Sequence, residues 1–372
     1  MKTKLWMLGM AVAALTSCTQ SEVVEIPESR VIKFESHVDK SARAVNELSA
    51  STLESFYVFG YHTPYTVSNG VYSFDFSTKE TIWENVPVNK PTTGTSWSPT
   101  IDGYWSAGHM YNFAAYSNGN SKIESGVSYD PQNDMVTFTG YSVIDASTTS
   151  STQPDLIAAI SSSRTGESGT TPVDLIFRHM LAKVSLNLIN TSSNSTLHFD
   201  NFRINNIHKV GTCNYSFDEE HTITWNTTDQ ASEFSYGNKD VPARTGQVNT
   251  HVTIDFYMIP QTIKSDTYLR FTLTEKVNGQ DVVSTDYKAL ITGASTGNNP
   301  NVNGNSACTI SKWEPGYHYN YIITHGQEFQ KITFTPTIND WAKDVNGDNF
   351  SDGYDGINLT IVRDDPQSGG SN

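Results

Sequence analysis

The chain has 372 residues and a formal net charge of −15 at pH 7, with 24 Lys and Arg against 39 Asp and Glu. No concentrated basic patch interrupts that balance, which excludes phosphate-backbone binding and with it nucleic acid as a partner. Charged residues are only 17% of the chain, and Thr, Ser, Asn, Tyr and Gly are abundant, the composition of an exported β protein.

Residues 1–18 read as a targeting segment. Lys2 and Lys4 precede an apolar run from Leu5 to Leu15 that is too short to span a bilayer. Leu15-Thr16-Ser17-Cys18 follows. An ordinary secretory signal needs no cysteine after its small residues, whereas this order resembles the bacterial lipobox, in which the cysteine is diacylated and heads the mature chain. Cys18 is the expected lipidation site, and more than one acyl chain makes a durable membrane anchor. No later stretch is apolar for long enough to cross a membrane as a helix.

Residues 31–38 alternate, with Ile32, Phe34 and Val38 on one face and Lys33, Glu35 and His37 on the other, which predicts a half-buried strand. A polar stretch follows and carries the bond Arg43–Ala44 where a protease can reach it. Further strands are predicted at 53–61, 70–76, 80–88, 110–116, 135–139, 155–160 and 173–189, with turns at Asn89–Pro99 and Ser161–Pro172. Beyond residue 190 they recur at 198–204, 221–225, 250–259, 267–275, 317–324, 331–338 and 357–362. Helical periodicity is confined to Asn46–Glu54 and Ala342–Val345.

Many short strands at near-regular spacing predict an all-β chain of sandwich type. The mature length exceeds one comfortable core, so two domains are expected. A fresh alternation beginning at Leu181 sets the boundary near 178. The resulting division is a signal at 1–18, a propeptide with the leader strand at 19–43, an N-terminal sandwich at 44–178 and a C-terminal one at 179–372.

Catalytic signatures are absent: the sequence holds no HExxH, GxSxG, Walker loop or CxxC pair, and no enzymatic role is expected. His109 and His179 precede strands and read as packed or surface residues. Cys213 and Cys308 are expected as two separate small hydrophobes in place of a bridge. Asp344, Asn346, Asp348 and Asp352, with Asp355 beyond them, have the oxygen spacing of a calcium loop. Asn349 stands where glycine makes the sharp turn, and Asp355 where a longer glutamate binds through both oxygens. The site is a weak calcium candidate, a solvated turn is favoured, and no cofactor is expected.

Several stretches taken together resemble the fimbrillin family, the lipoprotein-derived type V pilins of Bacteroidales. They are the lipobox, Ala42 before Arg43-Ala44, Phe56-Tyr57-Val58-Phe59-Gly60-Tyr61, Tyr104-Trp105 with Tyr111-Asn112-Phe113-Ala114-Ala115-Tyr116, and Leu175 to Val184. The second half adds Met258-Ile259-Pro260-Gln261, Trp313 to Tyr321 and Ile338-Asn339-Asp340-Trp341. The resemblance implies two tandem transthyretin-like (Ig-like) β-sandwich domains, export as a lipoprotein to the cell outer membrane, and a structural or tip role in an adhesive fimbrium. It also implies cleavage by an arginine-specific protease, at Arg43–Ala44 in this chain, which opens a groove for a neighbour's strand.

Ile357, Leu359 and Ile361 alternate on one face of the last predicted strand. They are the candidate donor side chains for the positions that Ile32, Phe34 and Val38 vacate. The partners implied are other fimbrial subunits, either copies of this chain or paralogues, the protease, and the outer membrane through the lipid before processing. The alternative is a non-polymerising surface lipoprotein that binds a host or glycan ligand and stays uncut at Arg43.

Overall fold

The computed structural model describes residues 30–38, 48–49, 51–145, 153–168, 171–292, 294–295, 308–325, 332–340, 359–360 and 362–363. Among them regular structure is all β, apart from short 3₁₀ turns such as Phe76–Thr78 and Gly166–Ser168. The expected helix at Asn46–Glu54 is a turn over its described residues, closed by the amides of Thr52 and Leu53 on the carbonyl of Ser49. Ala342–Val345 lies outside the described residues.

Four main sheets carry the fold. The first runs Phe34–Val38, Val173–His179, Leu156–Thr165, His109–Asn118, Ser55–Ser68, Glu80–Asn89 and Ser98–Pro99, with Val71–Phe74 as a hairpin partner of Ser55–Ser68. The middle of this sheet is buried on both faces, which is why the burial of His109–Asn118 and of Leu156–Ile160 is continuous and not alternating, whereas the outer strands alternate. One face surrounds a core of Phe34, Phe56, Trp83, Phe113 and Phe177. The other packs Tyr116, Leu156 and Ala158 against Phe138, Cys213 and Tyr215 of a four-stranded sheet.

That four-stranded sheet joins Val127–Asp130 and Met135–Ser142 to the hairpin Val210–Ser216/Ile223–Thr227. Strand pairing therefore crosses residue 178: Phe138 faces Cys213 and Val136 faces Tyr215. Trp225 of the same hairpin donates its indole N–H to the carbonyl of Met180 at 2.7 Å. The predicted strand 173–189 is divided at this point. Val173–His179 belongs to the first sheet and Ala182–Asn190 to the next, with Met180 and Leu181 buried in the shared core between them.

The third sheet runs Thr250–Met258, Ala182–Asn190, Tyr317–His325, Ile332–Asp340 and Leu359–Thr360. The fourth runs Ser232–Ser235, Thr196–Ile207, Tyr268–Val277, Gln280–Leu290 and Val362–Arg363. Leu186, Phe199, Phe256, Phe271 and Tyr321 fill the core between these two sheets. Asn278 and Gly279 take positive φ of 49° and 77°, the two-residue turn that closes the Tyr268–Val277/Gln280–Leu290 hairpin. Cys213 is a free, buried thiol, and burial pushes its pKa up.

Candidate functional site

The segment 30–38 is the part of the molecule whose geometry points to function. Its second half, Phe34–Val38, lies parallel to Val173–His179, with Phe34 opposite Val173 and Val38 opposite Phe177. Its first half runs antiparallel to the segment 97–105. The amides of Ile32 and Phe34 donate to the carbonyls of Gly103 and Trp97 at 2.9 and 2.8 Å, and those of Trp97 and Trp105 return to Phe34 and Arg30 at 2.8 and 2.9 Å. On the other edge the Val173 amide donates to the Lys33 carbonyl at 2.8 Å. The segment is thus hydrogen-bonded along both edges.

Its inward side chains belong to the core. Ile32 and Phe34 are 0% exposed and Val38 5%, whereas the side chain of His37 is 63% exposed and meets Asp174 at 3.3 Å. Phe34 sits with ring centroids 6.1 Å from Phe56, 5.7 Å from Trp83 and 5.7 Å from Phe113. Two glycines make room for this aromatic wall. A Cβ on Gly60 would stand 2.7 Å from the Trp83 ring and one on Gly103 2.3 Å, so a side chain at either position displaces the indole. The Trp83 N–H is in turn fixed on the carbonyl of Ile101 at 2.8 Å.

Downstream, the chain is again tied to the body at Leu48, which is buried and donates its amide to Oδ2 of Asp155 at 3.0 Å. Asp155 also holds Nδ1 of His179 at 3.0 Å, and both side chains are fully buried. His179 is a packed residue, as its sequence position suggests. His109 lies at the surface end of its strand, its ring 4.8 Å from that of His62.

Of the residues singled out in the sequence, Cys18, Arg43 and Ala44 lie outside the described residues. Asp344, Asn346, Asp348, Asp352 and Asp355 do too, and among the described residues no group of three His, Cys, Asp or Glu is disposed to hold a metal. Ile357 and Ile361 are outside as well, while Leu359 pairs with Phe334 on the edge of the third sheet. Val362–Arg363 pairs with Lys288 and Tyr287 of the fourth, so the C-terminal segment steps from one sheet to the other.

One polar cluster had no signal in the sequence. The Ser185 hydroxyl lies between the Asp255 carboxylate and Nε2 of His318, the latter at 2.7 Å. Burial, and then the charge of Lys183, pushes the His318 imidazole down to about 3. The carboxylate bonds the serine and not the imidazole, so the order is not that of a carboxylate–imidazole–serine relay. The cluster ties three neighbouring strands together, while residues 30–38 fill a groove and are hydrogen-bonded on both sides.

A family model described as fimbrillin-like matches residues 61–341. Among solved structures, a fimbrial protein from Bacteroides vulgatus is 15% identical, covering 84% of this chain and 99% of its own with a TM-score of 0.49. A Bacteroides ovatus protein named for cell adhesion is also 15% identical, over 84% of this chain and 98% of its own, at 0.46. The tip fimbrial protein Mfa3 from Porphyromonas gingivalis is 13% identical, over 84% and 98%, at 0.39. No curated protein matches the sequence.

Proposed function

The chain belongs to the fimbrillin-like family, and from that premise we propose that it is a fimbrial subunit completed by strand exchange. In this reading it is exported as a lipoprotein on Cys18 and held at the outer membrane. It is then cut by an arginine-specific protease between Arg43 and Ala44, and takes its place in a cell-surface fimbrium that serves adhesion. The role is structural, not catalytic.

The observation that carries the reading is the burial of residues 30–38 in a groove bonded along both edges, with the next described tie to the body only at Leu48. Ile32, Phe34 and Val38 are core residues, and fully burying such a side chain is worth about 1.5–3 kcal/mol. While the covalent link is intact, the segment covers an edge that would otherwise pair with other chains. Once Arg43–Ala44 is cut, it is held by non-covalent contacts alone and leaves together with the lipid. The unpaired backbone of Trp97, Trp105 and Val173 then accepts a neighbour's strand by β-augmentation. The strand around Ile357, Leu359 and Ile361 is donated in the same way to the next subunit. Head-to-tail contacts of this kind do not close on themselves and produce a fibre.

Arg30 is the nearest competing cleavage point, and its carbonyl and Nε are both engaged with Trp105. Digestion of the full chain with an arginine-specific protease is therefore expected to give Ala44 as the new N-terminus and to free the leader segment. Arg43→Ala keeps the leader attached. A body that begins at Val31, or a leader that stays bound at every concentration of competing strand, contradicts the reading.

A further inference from the structure

We propose that the groove vacated by residues 30–38 is specific for a strand of another protein that carries an aromatic ring at the position of Phe34, and that this chain's own C-terminal strand does not fill it. The inference rests on the strand-exchange reading and asks what that site selects. The leader shows what an occupant must supply. Ile32 and Phe34 are wholly buried, Ser36 is half-buried, and Val38 is 5% exposed. The inward pattern is thus aliphatic, aromatic, small, aliphatic at alternate positions.

The aromatic requirement comes from the pocket's construction. Three rings, Phe56, Trp83 and Phe113, surround Phe34 at 5.7–6.1 Å. The Trp83 wall cannot close inward to meet a smaller side chain without leaving the carbonyl of Ile101 and its place over Gly60 and Gly103. An aliphatic side chain leaves part of this rigid space empty, and a cavity in a core that cannot collapse is the costly kind.

The C-terminal segment fails this pattern in every frame. Setting Ile357 and Leu359 at the positions of Ile32 and Phe34 brings Arg363 to the buried Val38 position. Sliding the strand by two residues brings Asp355 to the position of Ile32 instead. Burying either charge without a partner is strongly unfavourable. Trp341, Phe350 and Tyr354 are the aromatic residues after position 340. In either strand direction, seating any of them in the Phe34 pocket places Asp, Asn, Lys or Gly at the position of Ile32. The stretch Ile332–Ile338 does carry the pattern, yet its strand is laddered residue for residue to Tyr317–His325 and is not available to donate. Groove and tail of this chain are therefore mismatched, and its neighbour at the groove is a different subunit.

The test uses full-length protein cut after Arg43, with the leader removed, and labelled peptides. A peptide spanning residues 30–38 should rebind. Its Phe34→Ala form should bind about a hundredfold more weakly, and a peptide spanning 353–363 should show no binding. The Leu359→Phe, Arg363→Val form of that tail peptide should come within about tenfold of the leader peptide, and the cut protein alone should remain monomeric. A native tail peptide binding within tenfold of the leader, no gain from the double substitution, or a ladder formed by the cut protein alone overturns the selectivity. Failure of the leader peptide to rebind at all overturns the strand-exchange reading together with it.

Discussion

The amide of Leu48 is bonded to the carboxylate of Asp155 at 3.0 Å, across 107 residues of sequence, and the same carboxylate is paired with His179 in a fully buried site. This contact sets where the body begins after the leader. It lies on the far side of Arg43 from residues 30–38, so the proposed cleavage is expected to leave it in place.

Asp155→Ala is expected to destabilise the protein by about 3–5 kcal/mol, because it leaves a buried imidazole and a buried amide without their shared acceptor. Asp155→Asn keeps the shape and should lose less. Urea denaturation of the uncut protein measures both, and equal stability of Asp155→Ala and wild type would remove the anchor.

Gly103→Ala brings a methyl group within 2.3 Å of the Trp83 ring and 2.8 Å of Ile82. Overpacking of this kind costs about 1–3 kcal/mol. Gly103 also accepts the Ile32 amide, so the loss should appear as faster leader release after cleavage, read from the rate at which a labelled leader dissociates. An unchanged rate would separate the aromatic wall from the leader's retention.

His318 contributes a pH dependence to stability. Its folded pKa is depressed to about 3 from the usual 6.5, so the unfolded chain binds a proton that the folded one refuses between those values. Stability should therefore fall as pH drops through that window, by up to about 1.4 kcal/mol per unit, and be regained above about 6.5. His318→Gln should flatten this part of a stability profile measured by denaturation at several pH values. A profile of unchanged slope would assign the acid sensitivity to other groups.

The pairing of Met135–Ser142 with Val210–Ser216 ties the two halves into one sheet. A single calorimetric transition is expected, and Phe138→Ala, at that seam, should shift it as a whole by the equivalent of about 3–5 kcal/mol. Two transitions, of which only one moves, would show halves that melt separately.

Much of the architecture was legible because burial left its mark on the pattern. The leader strand alternates cleanly, since one face is core and the other meets water. Gln280–Leu290 was not visible, being largely exposed and without alternation; its ladder to Tyr268–Val277 holds it, and the Asn278-Gly279 turn was its signal. The opposite edge of the groove shows no strand pattern: Trp97–Pro99 falls at the end of the predicted turn Asn89–Pro99, and residues 100–105 do not alternate. Its pairing partner stands some seventy residues away, and no local pattern records that. The seam across residue 178 was hidden for the same reason.

Hydrogen exchange at the amides of Trp97, Trp105 and Val173 tests the central claim most directly, because each donates to a carbonyl of the segment 30–38. The account predicts that they are protected in the uncut protein, exchange freely once Arg43–Ala44 is cut and the leader has gone, and regain protection when a neighbour's strand is bound. Protection that survives loss of the leader, or that fails to return on assembly, would contradict it.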